Sequence, residues 1–301
     1  MKALLHTVLA GVAILIAASA ARPARDHDPV TQDPIARDPD FPAGMVESPA
    51  GLSVDGQRLN GIVYLAAGRG PHPTVVLLHG LPGNERNTDL AHALRRGGWN
   101  VAFFHYRGAW GSEGNFSFVN AVEDAEAMIA YLKQEAPARS LRVDSKRIVL
   151  VGHSLGGGVA LIAGARSPGV CGVVSIAGAD LGLLGELEGE ARTGMGRHLE
   201  GALALRVPSG EAVFEQMAST AIEMHVPEVA TGLATRPLLL ITGSHDEVVD
   251  TETHQGPLVT ALEEAEAEQL TRVVLAADHG FSSRRIELAR TILTWIDEHC
   301  R

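Results

Sequence analysis

The sequence predicts an α/β fold, with a mostly parallel central sheet covered by helices on both faces. Three observations carry that expectation. Apolar runs of strand length recur without a polar face, as in Thr74-Val75-Val76-Leu77-Leu78, Val101-Ala102-Phe103-Phe104 and Pro237-Leu238-Leu239-Leu240-Ile241, which is how strands buried on both sides read. Stretches of helical period alternate with them; Val122, Ala125, Ile129 and Leu132 share one face of a helix over Val119–Leu132. Finally, Val149-Leu150-Val151 passes through Gly152-His153-Ser154-Leu155-Gly156 straight into a small-residue helix, so that a strand, a sharp turn and a helix meet at one serine.

Taken from the N-terminus, residues 1–20 read as a secretory signal peptide. Lys2 supplies the positive start, Leu4 to Ala18 the apolar stretch and Ala18-Ser19-Ala20 a small-residue cleavage site. The apolar stretch is short for a membrane span, so the expected location is secreted or periplasmic, without stable membrane association after cleavage. Residues 21–44 turn to Pro, Asp and Arg and read as a disordered leader; residues 45–301 form the folded domain.

Met45–Val54 and Leu59–Ala66 read as a hairpin at one sheet edge. The strand Thr74–Leu78 ends in His79-Gly80-Leu81-Pro82-Gly83, and Asn84–Arg96 reads as a helix closed by Gly97-Gly98. Arg147–Val151 leads into the serine turn, and Gly172–Ile176 is the strand after its helix. Pro237–Ile241 and Arg272–Leu275 complete the strands, and Gln255–Ala267 and Arg284–His299 are the last helices. Leu181–Arg236 is too long for one crossover helix. Its leucines, methionines and glycines predict several short helices, either an elaborated crossover or a lid inserted over the serine.

Composition narrows the function. With 301 residues, 46% hydrophobic and 20% charged, the chain can bury a large core and is not disordered. A net charge of −11 and 4% aromatic residues argue against nucleic acid or an anionic membrane as partner. Cys171 lies in the apolar run Val170–Ile176 and Cys300 beside the chain end. A disulfide is allowed in an oxidising compartment, but two unpaired thiols, one of them a core residue, are the expectation. No Cys/His cluster has structural zinc spacing, and neither metal nor cofactor is expected.

The serine turn carries the chemistry. Gly152 and Gly156 stand where side chains would clash, which leaves Ser154 exposed at the sheet edge. No other serine has glycine two positions before and two after it. A serine hydroxyl is a poor nucleophile at neutral pH, so an imidazole must take its proton as the oxygen attacks, and a buried carboxylate must orient that imidazole.

With these residues the chain resembles the α/β-hydrolase superfamily over about residues 45–301, in its prolyl-oligopeptidase-like and esterase-like branch. Three further pieces carry the resemblance. His79-Gly80-Leu81-Pro82-Gly83 is similar to the family's His-Gly loop, Gly243-Ser244-His245-Asp246 follows a buried strand where the family keeps its acid, and Asp278-His279-Gly280-Phe281 follows the last strand where it keeps its histidine. The resemblance implies a triad in the order Ser154, Asp246, His279, with the backbone N–H groups of Leu81 and Leu155 as an oxyanion hole and His79 structural. Asp250, one turn beyond Asp246, is the rival acid; Asp278 is expected to stabilise its loop, and His245, His254 and His299 to lie at the surface.

His105-Tyr106-Arg107-Gly108-Ala109-Trp110-Gly111-Ser112-Glu113-Gly114 resembles a Tyr-Arg-Gly loop of related hydrolases, with Arg107 expected in a structural ion pair and Trp110 in packing or in the wall of an acyl pocket. Serine at the nucleophile position excludes a dehalogenase, which keeps aspartate there, and disfavours the dienelactone-hydrolase branch, which usually has cysteine. The resemblance thus implies a serine hydrolase acting on a small-molecule ester or a short peptide. Esterase is preferred, and peptidase is the alternative.

Overall fold

The computed structural model describes residues 27–33 and 38–301; the signal peptide expected at 1–20 lies outside the described residues. β1 (Gly44–Glu47) leads through a small ribbon, β2 (Ser53–Val54) and β3 (Gln57–Arg58), to β4 (Gly61–Leu65). The outer pair is antiparallel, Gly44 opposite Leu65, so the edge hairpin forms with the ribbon as its tip. β5 (His72–Leu78), α1 (Thr88–Arg96), β6 (Asn100–Phe104), α2 (Phe118–Lys133), α3 (Glu135–Ser140), β7 (Val143–His153), α4 (Leu155–Arg166) and β8 (Gly172–Ile176) then alternate. Four helices follow, α5 (Gly182–Gly185), α6 (Gly189–Gly201), α7 (Gly210–Met224) and α8 (Ala230–Ala234). The chain ends with β9 (Leu238–Gly243), α9 (Thr251–His254), α10 (Gly256–Glu264), β10 (Leu270–Leu275) and α11 (Arg285–Cys300).

The main sheet has the order β1-β4-β6-β5-β7-β8-β9-β10. It is parallel from β6 to β10 and antiparallel at the β1–β4–β6 edge. Period-2 alternation explains the continuous apolar runs. Val76, Leu78, Ile148 and Leu150 face one core, shared with Val122, Leu161 and Met217; Val75, Leu77, Val149 and Val151 face the other, shared with Leu90, Leu94 and Ile292. β10 closes the sheet as an edge strand, with Val274 exposed and Leu275 buried.

Leu181–Arg236 forms the helical crossover between β8 and β9, packing Leu199, Phe214, Met217 and Met224 into the first core. It is tied to the loop after β6 by backbone hydrogen bonds from Trp110 N–H to the Ala204 carbonyl (2.8 Å) and from Arg206 N–H to the Gly108 carbonyl (2.7 Å). Within the leader, Arg96 donates to the carbonyls of Pro29 (2.7 Å) and Val30 (3.0 Å), and Arg290 meets Asp28 at 2.7 Å, so residues 27–33 rest on α1 and α11.

One expectation is corrected. Cys171 and Cys300 are bonded to each other, with Cα atoms 5.7 Å apart. α11 crosses the second core so that its end reaches the start of β8, an approach across 129 residues that no local pattern announces.

Candidate active site

The site grows from the register of two parallel strands. Leu78 of β5 is level with Gly152 of β7, so the His79–Gly83 loop and the serine turn leave the sheet side by side, at strand C-termini where the strand order changes direction. A Cβ on Gly152 would lie 1.8 Å from the Gly156 carbonyl oxygen, and one on Gly156 would lie 2.2 Å from the Leu78 oxygen. Ser154 sits between them at φ 58°, ψ −121°, a backbone strain of roughly 1–3 kcal/mol that the surrounding contacts must offset. Its N–H donates to the Ile176 carbonyl at 2.9 Å, and its own carbonyl accepts from Gly157 (2.9 Å) and Ala179 (3.1 Å).

The acid and the histidine are brought together in the same way. Gly243 pairs with Leu275 at the end of β9 and β10, and Ser244 and His245 continue the contact by donating to the carbonyls of Leu275 (2.8 Å) and Ala277 (3.0 Å). His279 Nδ1–H then donates to Asp246 Oδ2 at 2.8 Å, and Asp246 Oδ1 accepts from the backbone of Val248 and Val249, each at 2.9 Å. Burial pushes the Asp246 carboxyl up, but the amides of Val249 and Val248 and the His279 ring outweigh it and hold it below the usual carboxylate range.

The rival acid is occupied elsewhere: Asp250 Oδ2 caps α9 through Thr253 N–H (2.8 Å) and its hydroxyl (2.6 Å). Asp278 accepts from Ser282 N–H at 2.7 Å, the loop contact expected of it. His245 and His299 are exposed, whereas His254 is half-buried and accepts from Asp180 N–H at 3.1 Å.

Ser154 and His279 line one cavity of about 630 Å³, together with Gly80, Leu81, Asn84, Glu85, His153 and Arg285. Leu81 borders it, and Leu155 opens α4 beside it; among the described residues neither backbone N–H has an acceptor. None of the cavity's lining residues comes from 181–236. Arg197, His198 and Leu203 instead line an adjoining space with Trp110, Pro82 and Asn84. Arg107 is the buried ion-pair centre expected, its Nε 2.5 Å from Asp124 and Nη2 2.5 Å from Glu123.

Two residues were missed by motif reading. His153 is buried, its ring lies tilted with its centroid 4.8 Å from that of His279, and it donates Nε2–H to the His279 carbonyl at 2.8 Å. Burial lowers its pKa to about 4, so the ring is neutral. Its signal was present, a titratable residue directly after the apolar run Ile148–Val151 and Gly152. Arg285 binds Asp89 and donates to the Gly280 carbonyl at 3.0 Å, bracing the histidine loop from the other side. Nothing in the sequence marks it.

Comparison with known proteins identifies structures of the same fold. Residues 69–181 match the family model described as "Serine aminopeptidase, S33". Similar solved structures include an esterase of Pyrococcus furiosus, 20% identical with a TM-score of 0.60, covering 87% of this chain and 94% of that one. Est1E of Butyrivibrio proteoclasticus, solved with ferulic acid, is 17% identical with a TM-score of 0.65, covering 82% and 98%. The acylaminoacyl peptidase of Pyrococcus horikoshii is 14% identical with a TM-score of 0.60, covering 86% of this chain but 42% of that one. The chain therefore has the fold of these α/β hydrolases.

Proposed function

We propose that the chain is an exported serine hydrolase that cleaves carboxylic esters through an acyl-enzyme. One observation carries this reading: a strained, glycine-flanked serine and a carboxylate-bound imidazole open onto the same cavity. Ser154 Oγ attacks the ester carbonyl while His279 Nε2 takes its proton. The tetrahedral intermediate expels the alcohol, whose oxygen receives that proton from His279, and water repeats the sequence in reverse to free the acid. Asp246 holds the His279 tautomer and offsets the imidazolium charge. The N–H groups of Leu81 and Leu155 hold the oxyanion, each contributing about 3 kcal/mol by analogy with measured donors.

The Cys171–Cys300 bond supports an oxidising location, in keeping with the signal peptide expected at residues 1–20. The second reading, a peptidase using the same residues on amides, is favoured by Glu85, a carboxylate in the cavity wall suited to a free amino terminus. Esters are preferred because the esterase neighbours are matched along nearly their whole length, whereas the peptidase is matched over 42% of its own.

A panel of nitrophenyl esters and aminoacyl anilides decides between them, with fluorophosphonate labelling mapped to its peptide. Ester turnover and labelling that both vanish in Ser154→Ala support the esterase. Faster anilide turnover supports the peptidase, and no turnover or label at Ser154 defeats both.

A further inference from the structure

The loop beside Ser154 is held from beneath by two buried histidines, His79 and His105, which are 2% and 5% exposed. His79 Nδ1 lies 2.7 Å from the Gly80 carbonyl oxygen, and His79 Nε2 lies 3.3 Å from His105 Nδ1. A carbonyl oxygen only accepts, so His79 carries its proton on Nδ1 and its Nε2 is a lone pair. His105 must therefore donate from its own Nδ1. Burial lowers the pKa of His79 to about 4 and that of His105 to about 3, so each ring holds a single N–H at neutral pH.

The Gly80–Leu81 peptide is trans, so its N–H points opposite to its C=O. With the Gly80 oxygen drawn down onto His79, the Leu81 N–H is turned away from His79, in a loop that lines the cavity. The same peptide lies against the nucleophile: a Cβ on Gly80 would stand 3.1 Å from Ser154 Cβ and 3.5 Å from its Oγ. A second clamp acts one residue on, where Trp110 Nε1–H donates to the Pro82 carbonyl at 2.8 Å.

We infer that His105 is a positioning residue for the oxyanion hole: by donating to His79 it fixes the His79 tautomer, and through the Gly80 carbonyl it sets the direction of the Leu81 N–H. This rests on the ester-hydrolase reading, since it assigns the Leu81 amide to the developing oxyanion. Without the His105 donor, the buried Nε2 lone pair of His79 is left unpaired and the ring is held less firmly against the Gly80 oxygen. The cost then falls on the transition state rather than on substrate binding.

The test compares His105→Phe, which keeps a ring but has no donor, with His105→Asn, whose side-chain amide stands near the position of Nδ1. In His105→Phe, kcat for a nitrophenyl ester is expected to fall roughly 10–100-fold with KM within about twofold. The affinity for a trifluoromethyl ketone analogue should fall by the same factor as kcat/KM. His105→Asn should recover kcat to within about fivefold of the parent. If His105→Phe does not fold, His105→Leu gives the same loss in a smaller side chain.

An unchanged kcat, a loss expressed in KM, or an asparagine variant no better than the phenylalanine one overturns the inference. Amide hydrogen exchange at Leu81 separates this failure from failure of the ester-hydrolase reading. If the parent neither turns over esters nor labels at Ser154, faster exchange in His105→Phe than in His105→Asn still supports the clamp, and equal exchange removes it.

Discussion

Asp246 Oδ2 accepts the Nδ1–H of His279 at 2.8 Å, while Asp250, four residues on, caps a helix instead. The two carboxylates are thus separated by what they bind. Asp246→Asn should lower kcat by about 10³–10⁴-fold, because an amide cannot enforce the tautomer or offset the imidazolium. Asp250→Asn should leave kcat within about threefold, since a caps-only role affects stability by about 1 kcal/mol. Steady-state kinetics on one nitrophenyl ester checks both, and a larger loss in the Asp250 variant would reverse the assignment.

Acid should unfold this protein in a definite window. His79, His105 and His153 are buried and neutral, with pKa values near 4, 3 and 4 because burial disfavours the charged ring. The unfolded chain takes up their protons near pH 6.5 and the folded one only near pH 4 or below. Their contribution is therefore complete above about pH 6.5 and is lost as pH falls through about 4. Three protons correspond to about 4 kcal/mol per pH unit in the middle of that window. Urea unfolding between pH 7.5 and 4.5 should show the slope, and His153→Gln should reduce it by about one proton's share.

The Arg107 network predicts a sharp contrast between neighbours. Asp124 is fully buried and accepts from both the backbone N–H of Arg107 (2.6 Å) and its Nε (2.5 Å), whereas Glu123 is half-exposed. Asp124→Ala leaves a buried guanidinium short of its main partner and should cost about 3 kcal/mol or more. Glu123→Ala should cost under about 1 kcal/mol. Denaturant midpoints at unchanged m-value give the comparison.

The Cys171–Cys300 link closes most of the second half of the chain into one loop. Cys300→Ser, or reduction of the parent, should lower stability by about 2–5 kcal/mol. Thiol titration in denaturant without reductant should find no free cysteine, and two reactive thiols there would contradict the pairing.

The fold was legible because each buried strand must present apolar groups to both faces, and that requirement is written locally: Val75 and Val76, or Val149 and Leu150, already declare a sheet covered on two sides. Ser154 was legible for a similar reason, since Gly152 and Gly156 are demanded by contacts of the turn with itself and with the adjoining strand end. Asp246 and His279 could be named only through resemblance, because their 2.8 Å bond spans 33 residues and depends on β9 and β10 ending level.

What lay wholly beyond the sequence was long-range contact between ordinary residues: Cys171 with Cys300, Arg285 with Asp89, His105 beneath His79. A sequence fixes which side chains seek burial or a partner by their local spacing. The choice among distant partners is made only when the sheet closes and the helices settle on it, since that packing sets the few ångströms on which a bond depends.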